Sequence, residues 1–350
     1  MITVVKTTDS ENIDQNVIEE AADILRKGGL VAFPTETVYG LGANGLDENA
    51  CRKIYEAKGR PSDNPLILHI GEREQLDRIA EEIPDCAEMI MDAFWPGPIT
   101  IIFKKKSIVP DSVTGNFGTV AVRFPSNKIA RSLINAADLP IAAPSANTSG
   151  KPSPTRASHV LFDMDGKIDM IIDGGAAKFG LESTIIDVSG DVPTVLRPGA
   201  ITLEMLEDVL GYVELDPALS GAQVKAAPKA PGMKYTHYSP NAKVILVRGE
   251  KEKVIEKINS LVEERKKEGL KTGVMATDED AERYNAHIVL SLGSRKNEEE
   301  IGSNLFKVLR KFDYLGADIV YSEVFDETGE GAAIMNRLKK AAGNVCIEVK

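Results

Sequence analysis

Between residues 213 and 240 the chain reads VELDPALSGAQVKAAPKAPGMKYTHYSP, with four prolines and little apolar periodicity. Each proline fixes φ and removes a backbone donor, so regular structure is not expected to run through such a stretch. The 350 residues are therefore expected to fold as two domains of ordinary size. The expected division is a first domain over 1–212, a linker over 213–240 and a second domain over 241–350. The linker reads either as a plain tether or as a segment folded onto a site. PGMKYTHYSP packs Lys234, Tyr235, His237 and Tyr238 into five residues, and long ordered loops are often functional.

Charge narrows the function classes. The chain has 42 basic and 53 acidic side chains, a net charge of −11. Residues 241–350 hold 19 basic and 20 acidic ones, so nearly all the excess lies in the first 240 residues. A protein that coats nucleic acid by neutralising phosphates leans the other way. No apolar run approaches the ~20 residues of a membrane span, and MITVVKTTDS does not resemble a signal peptide. Cys51, Cys86 and Cys346 are far apart and form no CxxC pair, which argues against a disulfide framework and a thiolate zinc site. The expected compartment is the cytoplasm.

The first domain reads as a series of short strands with fewer helices. Helices are expected at 17–27 and 47–58, the second capped by Asp47 and closed by Gly59. Strands are expected at 30–33, 66–70, 100–103, 119–124, 140–143, 170–173, 184–188 and 194–197. Such a pattern suggests one twisted, largely mixed sheet with helices against it. After the linker, strands at 244–247, 272–276, 287–290, 318–322 and 345–349 alternate with helices at 252–268, 299–315 and 332–342. That alternation predicts a smaller, Rossmann-like α/β domain. No catalytic cluster stands out in it.

Gly40-Leu41-Gly42-Ala43-Asn44-Gly45 fits GxGxxG, but Pro34, Thr35, Glu36 and Thr37 interrupt the strand that a dinucleotide turn needs before it. No NAD is expected. No GxxxxGK[ST] is present. The stretch after the second helix is more informative. Lys58, Arg60, Ser62 and Asn64 recur at a spacing of two, and Pro61 and Pro65 push their predecessors towards extended backbone. An extended chain would place all four on one side, where two cations, a hydroxyl and an amide make a cradle for a triphosphate. PSANTSGKPSPT at 144–155 offers Ser145, Asn147, Thr148, Ser149 and Ser153. Glu182-Ser183-Thr184 enters a strand, Arg197 precedes Pro198-Gly199, and Arg123 ends a strand before Pro125. An arginine so placed is a natural clamp for a carboxylate. His69, which ends a strand, reads equally well as a core residue. Asp163/Asp165 and Glu81/Glu82 read as solvated turns. No two histidines have metal-ligand spacing, and no GxSxG elbow exists. Arg, Lys, Ser, Thr and Asn side chains suit chemistry by positioning and charge neutralisation, as in transfer at phosphorus.

FPTETVYGLGANG, KGRPSDNPL, WPGPIT, TVAVRFP, APSANTSGKPSPT, ESTIIDVSG and VLRPGAI together resemble the YrdC-like family. The family's KxR…SxN pattern is met by Lys58, Arg60, Ser62 and Asn64. The linker and second domain resemble the long, two-domain threonylcarbamoyl-AMP synthases. The resemblance implies an open twisted α/β sheet with a concave site. It also implies that L-threonine, bicarbonate and ATP give threonylcarbamoyl-adenylate and pyrophosphate for N6-threonylcarbamoyladenosine in tRNA. By resemblance, Lys58, Arg60, Ser62, Asn64, Thr119, Ser145, Ser153 and Arg197 hold ATP, with Tyr235 as a lid residue. Lys58 and Arg60 offset charge on the phosphates. Thr35, His69, Arg123, the backbone near Ala143, and Ser183 position threonine, with Arg123 on its carboxylate. Magnesium comes with ATP, held by phosphate oxygens and water rather than by protein ligands. The product goes to a threonylcarbamoyl transferase, and direct tRNA binding is expected to be weak or absent. Other readings are an RNA-binding protein that uses the concave face without adenylate synthesis, an NAD enzyme, and a hydrogenase-maturation carbamoyl transferase. The last would carry zinc fingers, and this chain has no CxxC.

Overall fold

The computed structural model describes residues 2–220 and 237–350. Tyr235 and Lys234 lie outside the described residues. These divide into two units, the first reaching to residue 220 except for 150–152 and 179–181. Those six residues group with 237–350 in the second.

The first unit runs β1 (Val4–Thr7), α1 (Gln15–Arg26), β2 (Val31–Phe33), β3 (Gly40–Asn44), α2 (Glu48–Lys58), β4 (Ile67–His69), α3 (Asp85–Phe94), β5 (Ile99–Lys104) and α4 (Asp111–Thr114). It continues with β6 (Thr119–Arg123), α5 (Lys128–Ala137), β7 (Ile141–Ala142), α6 (Ala157–Met164), β8 (Met170–Asp173), β9 (Thr184–Asp187), β10 (Thr194–Arg197), α7 (Leu203–Leu210) and β11 (Glu214–Leu215). The strands form one sheet in the order β1-β8-β2-β3-β7-β4-β6-β5-β9-β10-β11. It is mixed as expected, parallel at β4/β6 and β5/β9 and antiparallel at β2/β3 and β5/β6.

Local chemistry accounts for the helices that place site residues. Asp47 accepts from the N–H groups of Asn49 and Ala50, and Gly59 at φ 61° closes α2 in the left-handed conformation. That ending puts Lys58 on the last helical residue. In α1 the buried Val17, Ile18, Ala21, Ala22 and Leu25 make one stripe, which shares a core with Ile129, Leu133 and Ile134 of α5.

Side chains alternate along a strand, so the sheet has two faces. Leu68, Val122 and Ile101 enter the large core with residues of α2, α3 and α6. The opposite face towards β2 and β7 is covered by α1 and α5. Further along, over β4, β6, β5, β9 and β10, the buried apolar side chains of that face form the small cluster Ile67, Ala121, Ile102, Ile185 and Leu196. Among the described residues no helical side chain joins this cluster.

The glycines of GxGxxG serve this sheet. Gly40–Asn44 is strand β3, paired antiparallel to β2 and to β7, not a turn feeding a helix. A Cβ on Gly42 would lie 2.9 Å from Ile141 and Phe33, and one on Gly45 2.4 Å from Leu68. Close strand packing, not a pyrophosphate, requires them.

The second unit comprises β12 (Lys243–Arg248), α8 (Lys251–Lys267), β13 (Thr272–Ala276), β14 (Ile288–Ser291), α9 (Glu298–Tyr314), β15 (Ile319–Glu323), α10 (Gly329–Ala341) and β16 (Cys346–Glu348). Its sheet, β14-β13-β15-β12-β16, is parallel throughout. The unit's fourth strand lies between its first and second, unlike the 3-2-1 run of a dinucleotide-binding half. Tyr238 is buried here, its ring centroid 5.1 Å from that of Phe306. Among the described residues no helix is long and apolar enough to cross a membrane.

Candidate active site

The sparsely covered sheet face carries a row of buried polar side chains. The register places His69 of β4 and Thr100 of β5 beside Arg123 of β6, one on each side. Side chains paired across neighbouring strands share a face. The Thr100 hydroxyl lies 2.8 Å from that of Ser183, and Arg197 donates through Nε to the Ser183 carbonyl (3.0 Å) and through Nη2 to its hydroxyl (3.2 Å). All five are buried. Burying this much polar surface is costly unless it is hydrogen-bonded, and Thr100, Ser183 and Arg197 satisfy one another laterally.

The segment that breaks the strand after Phe33 closes one end of the row. Arg123 donates through Nη1 to Thr37 Oγ1 and through Nη2 to Glu36 Oε1, both at 2.7 Å. The Thr35 hydroxyl lies 2.9 Å from Thr37 Oγ1 and donates to the Val38 carbonyl at 2.6 Å. Ala143 follows β7, and its N–H donates to the Ile67 carbonyl of β4. The structure thus brings together Thr35, His69, Arg123, Ala143 and Ser183, and sets Arg197 beside Ser183.

A second group forms at the end of α2. Lys58 is buried and its Nζ donates to the carbonyls of Ser145 and Asn147, each at 2.5 Å. The Ser149 N–H returns a bond to the Lys58 carbonyl. Lys58 therefore straps the 145–149 loop to the helix, a charge-assisted pair of bonds. Asp163 Oδ2 accepts from the Thr148 N–H at 3.0 Å, so this buried carboxylate anchors the loop and is not a solvated turn residue. Ser153 donates to Glu182 Oε1 at 2.5 Å.

One expectation needs correction. Lys58, Arg60, Ser62 and Asn64 do not lie along one extended stretch. Lys58 ends a helix, Gly59 is left-handed, and the Asn64 N–H donates to the Pro61 carbonyl, closing a turn. Asn64 is buried with Oδ1 unpartnered, while Ser62 is exposed. Arg60 bonds back to the Asn64 and Pro65 carbonyls. Thr119 stands at the far end of β6 from Arg123, half-buried and opposite Lys104. Sequence reasoning overlooked Glu36, Thr37 and Thr100 as site residues. Their signal was a polar side chain inside an otherwise apolar strand or strand junction.

Burial, then the neighbouring Arg123 charge, pushes the His69 imidazole down to about 3. It stays neutral through the physiological range. A histidine pKa depressed on folding means that the unfolded chain binds the extra proton between pH 3 and 6.5. Stability therefore rises with pH across that window and is lost as pH falls from 6.5. Between pH 6.5 and 5 the expected loss from His69 is about 2 kcal/mol. Urea denaturation at the two pH values should show a drop in the wild type that is smaller by that amount in His69→Gln. Cys51 is pushed up to about 12, mainly by burial, which leaves it an inert core thiol.

A family model described as "Telomere recombination", that of Sua5, YciO and YrdC, matches residues 23–199. A second, "Threonylcarbamoyl-AMP synthase, C-terminal domain", matches residues 201–343. The chain belongs to the Sua5 and YrdC family. It is 52% identical to the threonylcarbamoyl-AMP synthase of Pyrococcus abyssi over 97% of this chain and 98% of that one. It is 47% identical to the Bacillus subtilis enzyme of the same name, covering 97% and 96%. The crystal structure of P. abyssi Sua5 complexed with L-threonine superposes with a TM-score of 0.94, at 51% identity, covering 99% of this chain and all of that one. Both units of the chain are therefore shared with these family members.

Proposed function

We infer that the chain is a threonylcarbamoyl-AMP synthase. The observation that carries this reading is the buried polar row from His69 to Arg197 on an otherwise apolar sheet face, in a family whose near-full-length members bear that name. Threonine's ammonium and bicarbonate combine to a carbamate with release of water and a proton. A carbamate oxygen then attacks the α-phosphorus of ATP, and the bond to pyrophosphate breaks.

Such a reaction asks for positioning and charge neutralisation more than for a nucleophile. Thr35, His69, Arg123, Ser183 and the backbone at Ala143 would hold threonine. Lys58, Arg60, Ser62, Asn64, Thr119, Ser145, Ser153 and Arg197 would hold ATP. Neutral His69 can position a hydroxyl without adding charge. Magnesium would come with the triphosphate: the donors proposed around ATP are cations, hydroxyls and an amide, with none of the carboxylates that bind this hard ion directly. The activated product would pass to a transferase acting on tRNA in the cytoplasm, and the −11 charge favours a hand-over of the small molecule over a grip on the tRNA.

Pyrophosphate release from ATP, with threonine and bicarbonate withheld in turn, tests the reading. Release should require both. Release that continues without threonine would overturn it.

A further inference from the structure

We propose that Glu36 binds the ammonium group of L-threonine, so that the Glu36–Arg123 pair recognises the zwitterion rather than the carboxylate alone. The inference rests on the synthase reading and adds a residue to its threonine site. Glu36 and Arg123 are paired at 2.7 Å, with side chains only 7% and 5% exposed. Glu36 spends Oε1 on Arg123, while its Oε2 is buried with no hydrogen-bond partner. A buried carboxylate oxygen without a donor is a costly arrangement that calls for a partner, and a ligand's donor would supply it.

Charge decides what that ligand is. The pair is neutral as it stands. A bare carboxylate arriving at Arg123 would face the Glu36 carboxylate across one guanidinium, leaving a buried net charge of −1 and two like charges a few ångströms apart. An α-amino acid brings an ammonium on the carbon that bears its carboxylate. With the carboxylate at Arg123 and the ammonium at Glu36 Oε2, two cations meet two anions and the group stays neutral. Thr35 and Thr37, tied into the same loop and to Arg123, leave no second acidic group in these contacts to do this.

The test is a comparison of ligands by calorimetry, using L-threonine and its deamino analogue (R)-3-hydroxybutanoate on the full chain. The wild type should bind threonine more tightly by at least about tenfold, the range expected for a hydrogen bond to a charged group. Glu36→Gln, which keeps the shape and removes the charge, should weaken threonine by about 10–100-fold and leave 3-hydroxybutanoate unchanged or tighter. Equal weakening of both ligands would mean that Glu36 only orients Arg123, and would overturn the proposal. So would no change for either. If Glu36→Gln does not fold, the wild type alone decides: equal affinity for the two ligands overturns it. Threonine-dependent pyrophosphate release by the wild type is measured beside these. Its absence would strike the synthase reading, whereas an intact reaction with parallel losses strikes only the role of Glu36.

Discussion

Arg123→Met should abolish threonine-dependent pyrophosphate release and also destabilise the protein by about 3–5 kcal/mol, the usual cost of removing one partner of a buried ion pair. The size follows from where Arg123 sits. Its guanidinium holds Glu36 and Thr37 at once, and both of these side chains are buried. Methionine fills much of the volume but leaves the Glu36 carboxylate buried and unpaired. Two consequences separate here. Stability should return largely in Arg123→Met/Glu36→Leu, because an apolar pair of similar volume often equals a buried ion pair. Threonine binding should not return, since the carboxylate clamp is gone. Chemical denaturation and calorimetry of the single and double variants check this. Recovery of threonine affinity together with stability would show that Arg123 serves the fold alone.

Lys58→Met should cost ATP-dependent turnover at least about a hundredfold, in the range seen when one pre-organised charge is removed from a transfer site. Two losses combine. The cation proposed for the phosphates disappears, and the Ser145 and Asn147 carbonyls it holds lose their donor. The loop they belong to supplies Ser145 to the proposed nucleotide pocket. Arg60→Gln isolates the electrostatic part, because Arg60 is only half-buried. It should raise the KM for ATP with little effect on stability. Threonine affinity, measured without nucleotide, should stay near wild type in Arg60→Gln. If the Lys58, Arg60 and Arg123 variants all lose ATP and threonine use equally, the division of the pocket into two halves is wrong.

Much of the fold was legible because its signals are local. Asp47 and Gly59 mark both ends of α2, and β6, β8 and β10 fall where apolar runs meet proline or glycine. The parallel α/β character of the second unit follows from strands alternating with long amphipathic helices. The short helices α3, α5, α6 and α7 were missed, since each is only eight to ten residues long and lies between proline and glycine breaks. Strand β3 hid behind a motif. Its glycines satisfy a dinucleotide pattern, whereas their real constraint is contact with Ile141 and Leu68, residues distant in sequence.

The candidate site divides in the same way. Residue types and their family resemblance named the polar groups, because cations, hydroxyls and an amide beside proline and glycine are visible one segment at a time. Their arrangement was not visible. The spacing of Lys58, Arg60, Ser62 and Asn64 suggested an extended cradle, but the left-handed Gly59 and the turn at Pro61–Asn64 put Lys58 on a helix end and Asn64 inside. The tertiary structure alone decided that Arg123 meets Glu36, because 87 positions separate them and only the pairing of β6 within the sheet brings them together. Composition could establish an acidic chain with local cations. Strand register, a long-range property, set which charge faces which, and thereby what kind of ligand the buried pair can accept.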